Sequence, residues 1–304
     1  MAVRSFLHYA LEVPDPTVGQ RFYEDFGLVD GGASGDSVRL RPEGLGRDAV
    51  LLYEGKRKRL HHLCYGAPGE DFARVREAIR RAGVAEMDAP PGAPEGGLWF
   101  RDPDGNAVNV RDEATPAEPV DPPPTLNGPG YVQREAVRGY PARGQRITPR
   151  RLGHTLLFTP DMGRAMRFYT ETLGMKLSDR SRGIIAFLRC NTDHHTLALL
   201  SSHAPGFHHA SFQVGSVDEI AMGAVRMAEK GWQPGWGLGR HVIGSNFFYY
   251  LRDPWGSFSE YYFDLDYIPE RCAWEPRDFP PEDALYVWGP SCPADFGENK
   301  EVWT

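Results

Sequence analysis

Residues 7–28 read LHYALEVPDPTVGQRFYEDFGL, and residues 153–175 read GHTLLFTPDMGRAMRFYTETLGM. Each stretch begins with a histidine on an apolar run, turns at Pro-Asp, continues through Arg-Phe-Tyr and closes on a glycine. Two further pairs follow in the same order. HHLCYG from His61 matches HHASFQ from His208, and FRDPDGNAVNV from Phe100 matches LRDPWGSFSEY from Leu251. His8 thus corresponds to His154, His62 to His209 and Asn109 to Glu260. Three segments recurring in order at a nearly constant offset identify duplicated halves.

Each half divides again into strand, helix and further strands. In the second half one unit is His154–Phe158, a helix around Gly163–Thr172, then GIIAFLRC and HTLALL. The next is HHASFQV, a helix, then FFYYLRD and SFSEYYF. Ser216-x-x-Glu219 predicts a capping box for that second helix. Ile220, Ala224, Met227 and Ala228 form its apolar stripe, and Gly231 stops it. The first half repeats the pattern with Phe72, Val75, Ile79 and Gly83. Asp102-Pro-Asp-Gly105 and Asp253-Pro-Trp-Gly256 predict type I turns in hairpins near the end of each half.

The bulk properties narrow the class. The chain has 304 residues, 41% hydrophobic and 25% charged. No run of about 18 apolar residues exists to span a membrane. The N-terminus meets proline and acidic residues too early for a signal peptide. A net charge of -7 disfavours nucleic acid as a partner. The basic run Lys56-Arg57-Lys58-Arg59 reads as a solvated turn or strand end. Cys64, Cys190, Cys272 and Cys292 lie far apart with no CxxC, which suits a reducing cytoplasm. Any metal here would be held by histidine and carboxylate.

The second half supplies that donor set. His154 and His209 each open the first strand of a unit, and Glu260 sits on the last strand. Two histidines and a carboxylate are the ligands that bind non-haem Fe(II) on one face and leave the other open. Side chains alternate along a strand, so His209, Ser211 and Gln213 share a face and His208 falls on the other. On that ground His209 is the ligand and His208 is not.

With these residues in place, the chain resembles the type I extradiol ring-cleaving dioxygenases of the vicinal oxygen chelate superfamily. The resemblance spans nearly the whole chain. It implies an α+β fold of two domains, each of paired βαβββ modules forming a curved mixed β-sheet half-barrel. The expected divisions are an N-terminal domain at 1–118, a proline-rich connector at 119–147, a catalytic domain at 148–265 and a tail at 266–304. The family's iron ligands fall on His154 in LGHTLLF, His209 in HHASF and Glu260 in SEYYF. Its acid/base histidine falls in CNTDHHTLAL on His194, with His195 as the alternative. Other groups that bind substrate oxygens fall on His241 in GLGRHVIGSN, read as a glycine-rich loop, and on Tyr250 in FFYYLRDP. Trp236 and Asn246 could line the pocket. Trp236 stands where some homoprotocatechuate-cleaving relatives carry an arginine for the substrate carboxylate, which favours an uncharged side group.

The implied reaction is cleavage of a catechol-type ring beside its diol by O2 at Fe(II), with Mn(II) possible, giving a muconic semialdehyde-type product. Monocyclic catechols, biphenyl diols and trihydroxybenzenes are all open as substrates. The partners implied are a small aromatic diol, O2 and copies of the same chain. Asn109 replaces the carboxylate in the first half, so no iron is expected there. Two other classes share the fold: glyoxalase-like isomerases and epimerases, and metal-free drug-binding proteins of the bleomycin-resistance type.

Overall fold

The computed structural model describes residues 2–32, 37–115, 117, 120–142 and 144–302. Two large sheets form its body. The first contains β1 (Ser5–Val13), β2 (Val29–Asp30), β3 (Ser37–Arg41), β4 (Val50–Glu54), β5 (Arg59–Gly66), β6 (Leu98–Arg101) and β7 (Ala107–Arg111), in the order β2-β3-β4-β1-β5-β7-β6. Helices α1 (Pro16–Phe26) and α2 (Glu70–Arg81) follow β1 and β5. The connector holds a short hairpin of β8 (Asn127–Gly128) and β9 (Tyr131–Val132). The expected boundary at 118/119 lies outside the described residues.

The second sheet contains β10 (Arg151–Thr159), β11 (Lys176–Ser181), β12 (Ile185–Arg189), β13 (Leu197–Ser201), β14 (Gly206–Gln213), β15 (Pro234–His241), β16 (Phe247–Arg252), β17 (Phe258–Phe263) and β18 (Tyr286–Trp288). Their order is β11-β12-β13-β10-β14-β17-β16-β15-β18, so the core of the second sheet repeats the first and curls into a half-barrel. Helix α3 (Met162–Arg167) continues as one π-helical turn to Thr172, and α4 (Val217–Glu229) follows β14.

Several local expectations are refined. Gly105 and Gly256 each donate N–H to the aspartate carbonyl three residues back, as type I turns require. Ser216 caps α4 by accepting from Glu219 N, but Glu219 reaches back to Gly215 N and pairs with Arg150 rather than closing the box on Ser216. On α4, Ala228 is exposed and Gly223 is buried instead, because a Cβ there would meet the Tyr261 ring. GLGRH is strand β15, not a loop. Its glycines let the backbone run against β16, where a Cβ on Gly237 would sit 2.9 Å from Phe248 O. The first sheet has no matching strand among the described residues, and β18 from the tail extends the second sheet beyond β15.

One hydrophobic core runs through both halves. Phe26 stacks on Tyr261 at 3.9 Å, and Tyr261 donates its hydroxyl to Phe26 O at 2.6 Å. Lys58 corrects the reading of its basic run. Its neighbours are exposed, but Lys58 is 4% exposed and crosses into the second half. There its ammonium donates to Ser257 Oγ at 2.6 Å and Phe207 O at 3.2 Å, and it pairs with Glu301 of the tail at 3.0 Å.

Candidate metal centre and active site

Strand register brings the site together. His154 on β10 lies opposite Ser211 on β14, Ser211 opposite Glu260 on β17, and Glu260 opposite Tyr250 on β16. Residues directly opposite one another project from the same face. His154, Ser211, Glu260 and Tyr250 therefore form one row across four strands. His209 is two positions before Ser211, on the same face. Ser211 is small, which leaves room for the flanking imidazole and carboxylate to converge. The two histidines lie inside their strands rather than at the start of them.

Bulges aim the histidines. Between Leu152 and His154 the pairing with β14 slips, with Gly153 as the extra residue. A second slip falls between Leu156 and Leu157, where the extra residue on β14 is His208. A bulge sets two residues against one and bends the strand, so strict alternation fails here. His208 and His209 do not diverge; their Nδ1 atoms are 2.6 Å apart.

His154, His209 and Glu260 are all buried, and one ligand atom from each lies within 4.8 Å of the others. His154 Nε2 is 3.2 Å and His209 Nε2 3.5 Å from Glu260 Oε2. Glu260 is 0% exposed, and its ionic contacts among the described residues are with histidines only. Asn246 donates to its other oxygen at 3.3 Å. His209 Nε2 is buried without a hydrogen-bond partner. A buried carboxylate without a cationic side chain, facing an unpartnered imidazole nitrogen, fits a divalent ion; such a charge is otherwise costly to bury. Burial lowers His209 well below the ordinary histidine range, with His208 and His154 adding to it, so a neutral ring is available as a ligand.

The cluster faces a cavity of about 290 Å³. Leu156, Phe187, Ala198 and Leu200 line one side, and the tail roofs it with Leu285, Cys292 and Phe296. Among the described residues no lysine or arginine lines it. Asn246 lines the cavity, whereas Trp236 does not: it lies behind Tyr250, rings 5.8 Å apart and nearly parallel, and donates to Pro290 O.

The acid/base expectation requires a correction. His194 is turned away from the cavity, with Nε2 donating to Asp179 Oδ2 at 2.9 Å and Nδ1 against His195 Nδ1 at 3.0 Å. His195 faces the cavity, its ring 4.1 Å from that of His154. The reason is the carboxylate behind: Asp179 on β11 captures the first imidazole of the pair and leaves the second for the site. Burial holds His195 well below the usual histidine range, with His154 next in effect. His241 is held from both sides, donating Nδ1–H to Leu285 O at 2.8 Å and accepting the Tyr250 hydroxyl at Nε2 at 3.0 Å. Burial, then Glu260, raises Tyr250 well above its ordinary value, so it remains a protonated donor.

In the first half the row reads His8, Cys64, Asn109 and Trp99. His8 and His62 meet each other through Nε2 at 3.0 Å. Asn109 donates to Gly96 O and Leu98 O and accepts from Cys64 Sγ. The amide is thus engaged by its own loop.

Comparison with known proteins follows the same lines. Residues 151–261 match the family described as the Glyoxalase/Bleomycin resistance protein/Dioxygenase superfamily. The chain is 46% identical over 309 residues to Metapyrocatechase 2 of Cupriavidus necator, covering 99% of this chain and 93% of that one. It is 25% identical over 314 residues to an iron-dependent extradiol dioxygenase of Rhodococcus jostii, covering 95% and 97%. The solved Mn(II)-bound glyoxalase from Novosphingobium aromaticivorans aligns with a TM-score of 0.76 at 26% identity, over 98% of both chains. A relative of this identity, matched end to end, settles the kinship: the chain belongs to the extradiol ring-cleaving dioxygenases of that superfamily.

Proposed function

We propose that this enzyme opens the ring of a catechol-type diol beside its hydroxyls, placing both atoms of O2 in a muconic semialdehyde-type product, with Fe(II) held by His154, His209 and Glu260. The observation that carries the reading is the convergence of those three donors with His195, His241 and Tyr250 on one cavity. When bound, Fe(II) supplies a redox-active centre with open positions for two diol oxygens and O2. Glu260 offsets one of the ion's two charges, and a diol bound as a monoanion offsets the other. His195 takes a proton from a diol hydroxyl at Nε2 and returns it as the ring opens. Tyr250 and His241 bind the substrate oxygens and stabilise charge that develops there. The apolar walls and the tail exclude water.

The described lining, apolar and without lysine or arginine, supports diols with apolar rather than carboxylate side groups. The exposed apolar side chains of the connector, Val132 at 69% and Tyr140 at 72%, support assembly with further copies of the chain, which light scattering would measure.

The test is anaerobic reconstitution with Fe(II) or Mn(II), then a panel of catechols under air. O2 uptake with a yellow product from alkyl catechols, lost in Glu260→Gln, is the expected result. The likeness to a solved Mn(II)-bound glyoxalase keeps metal-dependent isomerisation as the second reading. Turnover of a glyoxalase-type substrate under argon, without O2 uptake on any diol, would favour it.

A further inference from the structure

We infer that His208, together with the Phe296 carbonyl of the tail, is a positioning device that fixes the proton of His209 on Nδ1 and so presents the Nε2 lone pair to the metal. The inference rests on the metal-centre reading above and extends it to residues outside the ligand set.

The argument is one of donors and acceptors. A backbone carbonyl only accepts, and Phe296 O lies 2.6 Å from His208 Nε2. His208 Nε2 therefore carries a hydrogen. In a neutral imidazole the other nitrogen is then an acceptor, and His208 Nδ1 sits 2.6 Å from His209 Nδ1. His209 must donate from Nδ1, which leaves Nε2 unprotonated, and that atom is the one beside Glu260 with no hydrogen-bond partner. The opposite arrangement would place a proton on Nε2, between the ring and the ion.

The surroundings hold the relay in place. His208 is 2% exposed and packs among the rings of Phe158, Phe258 and Phe296. It can reach its neighbour because it is the extra residue of the β14 bulge. The same device recurs in the first half. His61 is the extra residue of β5, its Nδ1 is 2.7 Å from His62 Nδ1, and its Nε2 faces Pro91 O at 3.2 Å. There the inner ring's Nε2 meets His8 instead of a carboxylate. His154 lacks such support, since its Nδ1 is buried without a partner. His209 is thus the ligand oriented from behind. Partners of this kind typically change metal affinity 10- to 100-fold when removed.

The experiment uses the full chain and three variants. His208→Phe keeps the packing and deletes both polar contacts. His208→Asn keeps an acceptor near Nδ1. Glu260→Gln removes a ligand. Histidine-selective 15N spectra of the metal-free protein read the tautomer directly, and Mn(II) binding is followed by loss of the free-ion electron paramagnetic resonance signal. Expected are a protonated Nδ1 and a bare Nε2 on His209 in the unaltered chain, loss of that preference in His208→Phe, Mn(II) affinity lower by about 10- to 100-fold, and partial recovery in His208→Asn. A protonated Nε2 on His209, or His208→Phe binding Mn(II) as well as the unaltered chain, overturns the inference while Glu260→Gln still reports the centre. Failure of the unaltered chain to bind the ion at all refutes the centre itself and this inference with it.

Discussion

Replacing Lys58 by methionine tests whether the first half holds the roof of the cavity shut. The roof is the tail, and its end is tied by Glu301 to Lys58, 9% and 4% exposed at the side chain. Further ties are a bidentate Arg252–Asp295 pair at 2.8 and 2.9 Å and donation from Asn299 Nδ2 to Ala204 O and Pro205 O. Methionine preserves the stem over Phe207 but leaves the Glu301 carboxylate buried and unpaired. Breaking a buried pair from one side costs about 3–5 kcal/mol. Glu301 is half-buried as a residue and can turn toward water, so the low end applies. About 3 kcal/mol corresponds to roughly 150-fold in the opening equilibrium of the tail. Hydrogen exchange over residues 296–302 would accelerate by about two orders of magnitude, and KM for the diol would rise. Lys58→Met with Glu301→Gln no longer strands the Glu301 charge, although the buried Asp253 carboxylate still loses the nearby cation, and would recover much of the protection. Exchange in the single variant equal to the unaltered chain, or equally fast exchange in the double variant, would refute the reasoning.

Three further outcomes follow from the geometry. His195→Gln lowers kcat by about 10²- to 10⁴-fold with little change in KM, whereas His194→Gln costs less; steady-state O2 uptake compares them, and a reversed order returns the acid/base role to His194. Gly153→Ala places a Cβ 2.5 Å from Tyr262 Cε1, a ring buried beside His154, and overpacking of this kind costs about 1–3 kcal/mol; urea midpoints and Mn(II) affinity would both fall, and an unchanged midpoint contradicts the close fit. Hydrogen bonding to Arg252 lowers Asp295 to about 2, below its unfolded value, so its contribution is present above roughly pH 4 and lost as pH falls toward about 2. Arg252→Gln should remove that part of the acid dependence, and identical acid titrations of the two chains would disprove it.

Much of this was legible from residue order. Duplication exposed the two-half architecture because matching segments recur in sequence. The pairing of His154, His209 and Glu260 was readable because register on one face follows from strand periodicity and because Asn109 breaks the pattern in the other half. Periodicity also misled. It assigned His208 and His209 to opposite faces, and a bulge cancels that rule locally. The resemblance put the acid/base role on His194, with His195 as the alternative, because nothing in CNTDHHTLAL shows which ring Asp179, distant in sequence, will capture. The basic run made Lys58 look like one of four solvated cations, since a partner more than two hundred residues away leaves no local trace.

The sequence alone determined what is local or repeated: the duplicated units, the turns and the donor types of the metal centre. Tertiary structure alone decided what depends on chain segments distant in sequence meeting: which histidine of each pair faces the cavity, which carbonyls orient the rings, and how the tail closes the roof. Hydrogen-bond direction and burial are properties of the assembled surroundings, and one-dimensional order does not encode them at any single residue.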